Sequence, residues 1–128
     1  MTPAPQPDAA PAFLDGLRVL ETGDGVAGSY ATSVLGGFGA HVTKVVDPAT
    51  PVHRLRPALA DGTSLLASVL DDGKETVGAD PGGEFDVVVC DRVTSGPDPD
   101  GYLASVAARN RRAWVTISAA GLSGPRRR

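Results

Sequence analysis

The 128 residues contain one cysteine, one tryptophan, two tyrosines and three phenylalanines, and several classes of protein are excluded by what is missing. A lone Cys90 cannot close an intramolecular disulfide and supplies no Cys-rich metal site, which points to a reducing, cytoplasmic setting. His41 and His53 have no Cys, Asp or Glu at ligand spacing, so no metal centre is expected. No window approaches the roughly 20 apolar residues of a membrane span, and no internal repeat is found. With a net charge of -3 the chain has no general attraction for nucleic acid, and its one basic run, Arg126 to Arg128, reads as an exposed tail. Met1 to Pro11 is rich in Pro and Ala and lacks the basic and apolar regions of a signal peptide. The expected organisation is a disordered segment over residues 1–13, one nucleotide-binding-like domain over 14–125 and the basic tail over 126–128.

What remains is an alternation of strands and helices. Leu17 to Glu21 reads as a buried first strand, and Ser29 to Phe38 as a helix with Tyr30, Val34, Leu35 and Phe38 on its packing face. Gly39 is placed to end that helix, and His41 to Val46 forms the second strand. Three prolines between Asp47 and Asp61 mark a loop. Thr63 to Leu70 is expected to be a helix with Leu65, Leu66, Val69 and Leu70 packed inward, followed by a short strand over Thr76 to Ala79. Phe85 to Cys90 reads as another buried strand, with Cys90 a small hydrophobe at its end. Thr94 to Asp100 is a loop, Gly101 to Ala108 a helix and Ala113 to Ser118 the last strand. This order implies an α/β, Rossmann-like open sheet, mainly parallel, with helices on both faces.

Chemistry concentrates at the turn after the first strand. Gly23-Asp24-Gly25-Val26-Ala27-Gly28 is a literal G-x-G-x-x-G between a strand and a helix, and Asp47 lies where a ribose-binding carboxylate would follow. That is the fingerprint of an NAD site, although Pro48 and the lack of a substrate domain speak against it. Glu21-x-Gly23-x-Gly25 also approximates an adenosylmethionine turn. A third reading is purely structural, the glycines permitting a tight strand-to-helix turn.

Longer matches run the length of the chain. Asp15-Gly16-Leu17-Arg18-Val19-Leu20-Glu21, the turn Val26-Ala27-Gly28-Ser29-Tyr30-Ala31-Thr32 and Gly39-Ala40-His41-Val42-Thr43-Lys44-Val45 resemble the opening of a family III CoA-transferase. Gly73-Lys74 and Phe85-Asp86-Val87-Val88-Val89 resemble that family's GKRSV turn and FDVLV strand. Gly101-Tyr102, Arg109-Asn110, Trp114-Val115-Thr116-Ile117-Ser118 and Gly121-Leu122-Ser123-Gly124-Pro125 are similar to its later signatures.

The resemblance implies that the turn at Val26-Ala27 touches the nucleotide of CoA or acyl-CoA through main-chain groups. The surface assigned to CoA comprises Gly25, Val26, Ala27, Gly28, Asp47, Asp80, Asp91, Arg92, Ser118 and Gly121. CoA is then a substrate ligand, with no tightly bound cofactor. The family's Asp nucleophile, which forms acyl-anhydride and thioester intermediates, lies beyond the segment matching Gly121 to Pro125, so no catalytic residue is assigned within this chain. Asp47-Pro48 stands where the family often carries a basic residue, Lys74-Glu75 where it has Lys-Arg, and Asp91 where it has Asn; each change weakens the expected attraction for a polyanion. Arg54, Arg56, Lys74 and Arg92 read as solvated surface charges. The family's interlocked dimers imply a homodimer or a complex with a larger CoA-transferase-like subunit, with Leu65, Leu66 and the strand near Trp114 at the contact.

Overall fold

The computed structural model describes residues 11–23, 25–46, 55–91, 102–109 and 112–118. Among the described residues five strands form one sheet: β1 (Arg18–Gly23), β2 (His41–Val45), β3 (Glu75–Val77), β4 (Val87–Asp91) and β5 (Ala113–Ile117). Their spatial order is β3-β2-β1-β4-β5 and every pairing is parallel. The central strands are the ones rich in Val and Leu, as strands covered on both faces must be. Parallel neighbours need crossovers, and three helices supply them: α1 (Val26–Gly37), α2 (Leu65–Leu70) and α3 (Tyr102–Arg109).

Side chains alternate across the sheet and divide the core in two. Leu20, Val88 and Phe85 pack with Val106 of α3 on one face, with Val45 and Trp114 against them. Val19, Val42 and Val89 form the other face under α1, flanked by Leu17, Leu35, Ala40, Val87 and Ile117. The fold is therefore the expected α/β sheet with helices on both faces.

Several boundaries move for local physical reasons. Phe85 precedes β4 instead of opening it, because Asp86 donates its amide to the Arg18 carbonyl at 2.8 Å and accepts the Arg18 amide on its carboxylate at 2.9 Å. β4 then runs one residue past Cys90, since Asp91 pairs with Gly23. α2 begins at Leu65 rather than Thr63; Ser64 is its N-cap and accepts the Ala67 amide at 3.3 Å. Gly39, at φ +100, follows the Phe38 C-cap and donates to the Gly36 carbonyl at 2.9 Å, the left-handed closure expected of it. The loops at 47–54 and 94–100 lie outside the described residues.

The largest correction concerns which sides of the helices face in. Tyr30, Val34 and Phe38, expected inside, are 63%, 41% and 55% exposed, while Gly28, Ser29 and Thr32 are buried. In α2 only Ala67 and Leu70 are buried, and Leu65, Leu66 and Val69 face out. α1 covers a patch of buried charge on β1 and β2, and its hydroxyls at Ser29 and Thr32 meet that patch better than apolar side chains do; α2 reaches the same patch through its C-cap Asp71.

Candidate functional site

Strand order reverses between β1 and β4: the chain steps outward through β2 and β3 on one side and through β4 and β5 on the other. In an open α/β sheet the loops leaving two such strands diverge and open a crevice at their carboxyl ends. Gly23 closes β1 there and Asp91 closes β4, one opposite the other.

Asp91 is 6% exposed and its Oδ2 accepts the Gly28 amide at 2.6 Å. Its carbonyl accepts the Gly25 amide at 3.3 Å. α1 starts three residues earlier than expected because of this contact. Gly25 occupies the N-cap position in an extended conformation with no side chain to cap, and the Asp91 carboxylate caps the third helical amide from across the sheet. A Cβ on Gly23 would overlap the Asp91 backbone, and one on Gly25 would overlap its carboxylate. A Cβ on Gly28 would lie 2.6 Å from the Asp91 Cβ. All three fingerprint glycines thus leave room for one internal residue, Gly23 for the Asp91 backbone and Gly25 and Gly28 for its side chain.

Beneath α1 lies the charge cluster that turned the helix. Glu21 on β1 is 3% exposed and Lys44 on β2 is 1% exposed. Glu21 Oε1 accepts from Ser29 Oγ at 2.6 Å and meets Lys44 Nζ at 3.3 Å; Oε2 accepts from Thr32 Oγ1 at 2.5 Å and Lys74 Nζ at 2.7 Å. Lys44 Nζ also donates to Ser29 Oγ at 2.9 Å and to Asp71 Oδ1 at 2.5 Å, and Lys74 Nζ to the Ser29 carbonyl at 2.9 Å. Burial pushes the Glu21 carboxyl up, but hydrogen bonds from Lys74, Ser29 and Thr32 and the Lys44 charge outweigh it, leaving its pKa below the ordinary range. Two cations and two carboxylates, nearly all their polar contacts internal, make this a structural clamp joining α1, α2 and three strands.

Lys74 therefore departs from expectation: its side chain is 2% exposed and committed to Glu21, not a surface cation. Sequence reading also missed Glu21, Ser29, Thr32, Lys44 and Asp71 as a unit. The available signal was Glu21 two residues after Val19 and Lys44 two residues after Val42, charges that fall on the same face as apolar core positions, with Ser29 and Thr32 one helical turn apart above them.

The residues assigned to CoA binding are dispersed. Gly25, Gly28 and Asp91 are together, Val26 and Ala27 are exposed on the same turn, and Ser118 follows Ile117, the β5 partner of Asp91. Asp80 lies elsewhere, where α3 ends and before β4 begins. It binds Arg109 Nη2 at 2.6 Å and the Gly82 amide at 2.9 Å; burial raises its pKa, but Arg109 and Gly82 more than offset it and hold the pKa down. Asp47, Arg92 and Gly121 lie outside the described residues, as do His53 and Arg54. A cavity of about 540 Å³ bordered by Glu84, Phe85, Arg109 and Arg112 sits near Asp80, away from the crevice. Its arginines are paired, Arg109 with Asp80 and Arg112 with Asp86.

Exposed His41 meets Glu75 at 3.1 Å, and Cys90 is buried. Among the described residues, no three His, Cys, Asp or Glu side chains are grouped to hold a metal ion, and no helix is long and apolar enough to cross a membrane.

Comparison with known proteins places this geometry. Residues 14–92 match the family model described as CoA-transferase family III. A stretch of 56 residues, 42% of the chain and 13% of the relative, is 43% identical to the succinyl-CoA–L-malate CoA-transferase alpha subunit of Chloroflexus aurantiacus. Another of 48 residues, 38% of the chain and 6% of the relative, is 38% identical to the CoA-transferase/lyase DddD of a Marinomonas species. Among solved structures, a CAIB/BAIF family protein from Brucella suis superposes with a TM-score of 0.71 at 26% identity, over 91% of this chain and 36% of that one. Rv3272 of Mycobacterium tuberculosis gives 0.64 at 28% identity, over 91% and 37%. The chain thus spans little more than a third of the solved relatives and a smaller part of the curated ones.

Proposed function

The chain belongs to CoA-transferase family III, and from that premise we propose that it is the CoA-binding portion of a cytoplasmic acyl-CoA transferase, with CoA or an acyl-CoA lying in the crevice between the ends of β1 and β4. The observation that carries this reading is the reversal of strand order at that crevice, which brings the turn at Gly25, Val26, Ala27 and Gly28 opposite Asp91, with Ser118 at the end of the next strand out. CoA acts as a substrate here, and no cofactor is held tightly. The literal dinucleotide fingerprint is disfavoured because the helix amide that would meet a pyrophosphate already holds a carboxylate.

Acyl transfer in this reading uses a carboxylate supplied from outside the described residues. Among the described residues, the acidic groups at and under the crevice are engaged internally: Glu21 carries four donors and Asp91 caps α1. A homodimer or a larger CoA-transferase-like subunit is the proposed partner, supported by the outward-facing Leu65, Leu66 and Val69.

Calorimetric titration with CoA, NAD and adenosylmethionine tests the ligand. CoA is expected to rank first, with an affinity weaker than micromolar because of the acidic turn. NAD clearly outbinding CoA would overturn the reading.

A further inference from the structure

A helix N-terminus framed by glycines collects anions, because unpaired amides and the helix dipole both favour negative charge. In this chain that position is filled from within. The Asp91 carboxylate, 6% exposed, takes the Gly28 amide at 2.6 Å, and the space a phosphate oxygen would need beside Gly25 is the space its carboxylate occupies. The same three glycines that would let a pyrophosphate approach instead let β4 and its terminal acid approach. A phosphate entering here would have to displace a buried carboxylate and then lie against it, with like charges in contact.

We propose that Asp91 determines the ligand selectivity of this turn. Its carboxylate stands in for the anion, pyrophosphate is turned away from Gly28, and CoA meets Val26 and Ala27 with a part of the molecule that carries no phosphate. The last clause rests on the CoA reading above; the exclusion of phosphate does not. Asp91 acts as a positioning residue, setting which end of the ligand lies on the turn.

Titrating the full chain with inorganic pyrophosphate, and separately with CoA, while following the Gly25 and Gly28 amide resonances tests both parts. In the unaltered protein pyrophosphate should cause no saturable shift at Gly28. Asp91→Ala, which empties the cradle, should create saturable pyrophosphate binding at Gly28, tighter than in the unaltered protein by roughly twofold to thirtyfold, the range expected for an anion at a helix N-terminus. Asp91→Asn, neutral but still capping, should fall between. Saturable pyrophosphate shifts at Gly28 in the unaltered chain would overturn the proposal, and that measurement needs no variant to fold. So would a folded Asp91→Ala protein with no gain. A chain that ignores CoA but behaves as stated toward pyrophosphate would refute the proposed function and leave the role of Asp91 standing.

Discussion

Replacing Glu21 by Gln removes one charge from a cluster that has almost no contact with water. Glu21 is 3% exposed and holds Lys74 at 2.7 Å, Lys44 at 3.3 Å and two hydroxyls. After the change, two ammonium groups share Asp71 alone, which lies 2.5 Å from Lys44 and 3.6 Å from Lys74. An uncompensated buried charge costs about 3–5 kcal/mol. Against a total stability of roughly 5–15 kcal/mol, that is a large fraction. A domain of this length loses roughly 3–5 °C of melting temperature per kcal/mol, so a fall of about 10–25 °C is expected. Denaturant and thermal unfolding by circular dichroism read it directly. Adding Lys74→Met restores neutrality, and the double variant should be more stable than the sum of the single losses by about 1–3 kcal/mol. Additive losses, with Glu21→Gln costing less than about 1 kcal/mol, would mean the cluster behaves like solvated surface pairs, and the reasoning fails.

Because the Glu21 pKa is depressed on folding, its contribution is fully present above the unfolded glutamate value of about 4.3 and is lost as pH falls through the lower folded value. The unaltered protein should therefore lose stability on acidification below about pH 4.3, and Glu21→Gln should flatten part of that slope in urea midpoints measured across pH. Gly25→Ala should destabilise by about 1–3 kcal/mol through its clash with the Asp91 carboxylate, since an extended N-cap backbone itself accepts alanine; Asp91→Ala in the same chain should recover part of the loss. Incubation with acyl-CoA and a carboxylate acceptor, followed by hydroxylamine, should leave no aspartyl hydroxamate on Asp91, whose carboxylate is committed to α1; a stable adduct there would contradict the cap.

The order of elements was legible because it rests on local signals: apolar strands set off by glycines, Ser64 ahead of α2, Gly39 after α1. Family membership was legible because its motifs lie in register along the chain. The site was read less well. Gly23, Gly25 and Gly28 stand out in the sequence as a fingerprint, but spacing alone cannot say what approaches them, and here it is a residue more than sixty positions away in sequence. Lys74 was misplaced for a similar reason. A lysine before an edge strand looks solvated until Glu21 and Asp71 are brought to it from β1 and the end of α2.

The reversed faces of α1 follow from the same cluster and bear on partnership. Neither α1 nor α2 contains a charged residue, and in α1 the hydroxyls of Ser29 and Thr32 are spent on Glu21 and Lys44. The remaining positions, Val26, Tyr30 and Val34 at intervals of four, with Phe38 beyond them, must then turn outward. An ordinary surface helix puts its polar stripe in water, and this one does the opposite. Such a face gains stability only when another apolar surface covers it, at about 25 cal/mol per Å² removed from water. The buried charge under α1 thus does two things at once: it clamps the helix to the sheet, and it leaves on the outside the apolar stripe that supports the proposed partner subunit.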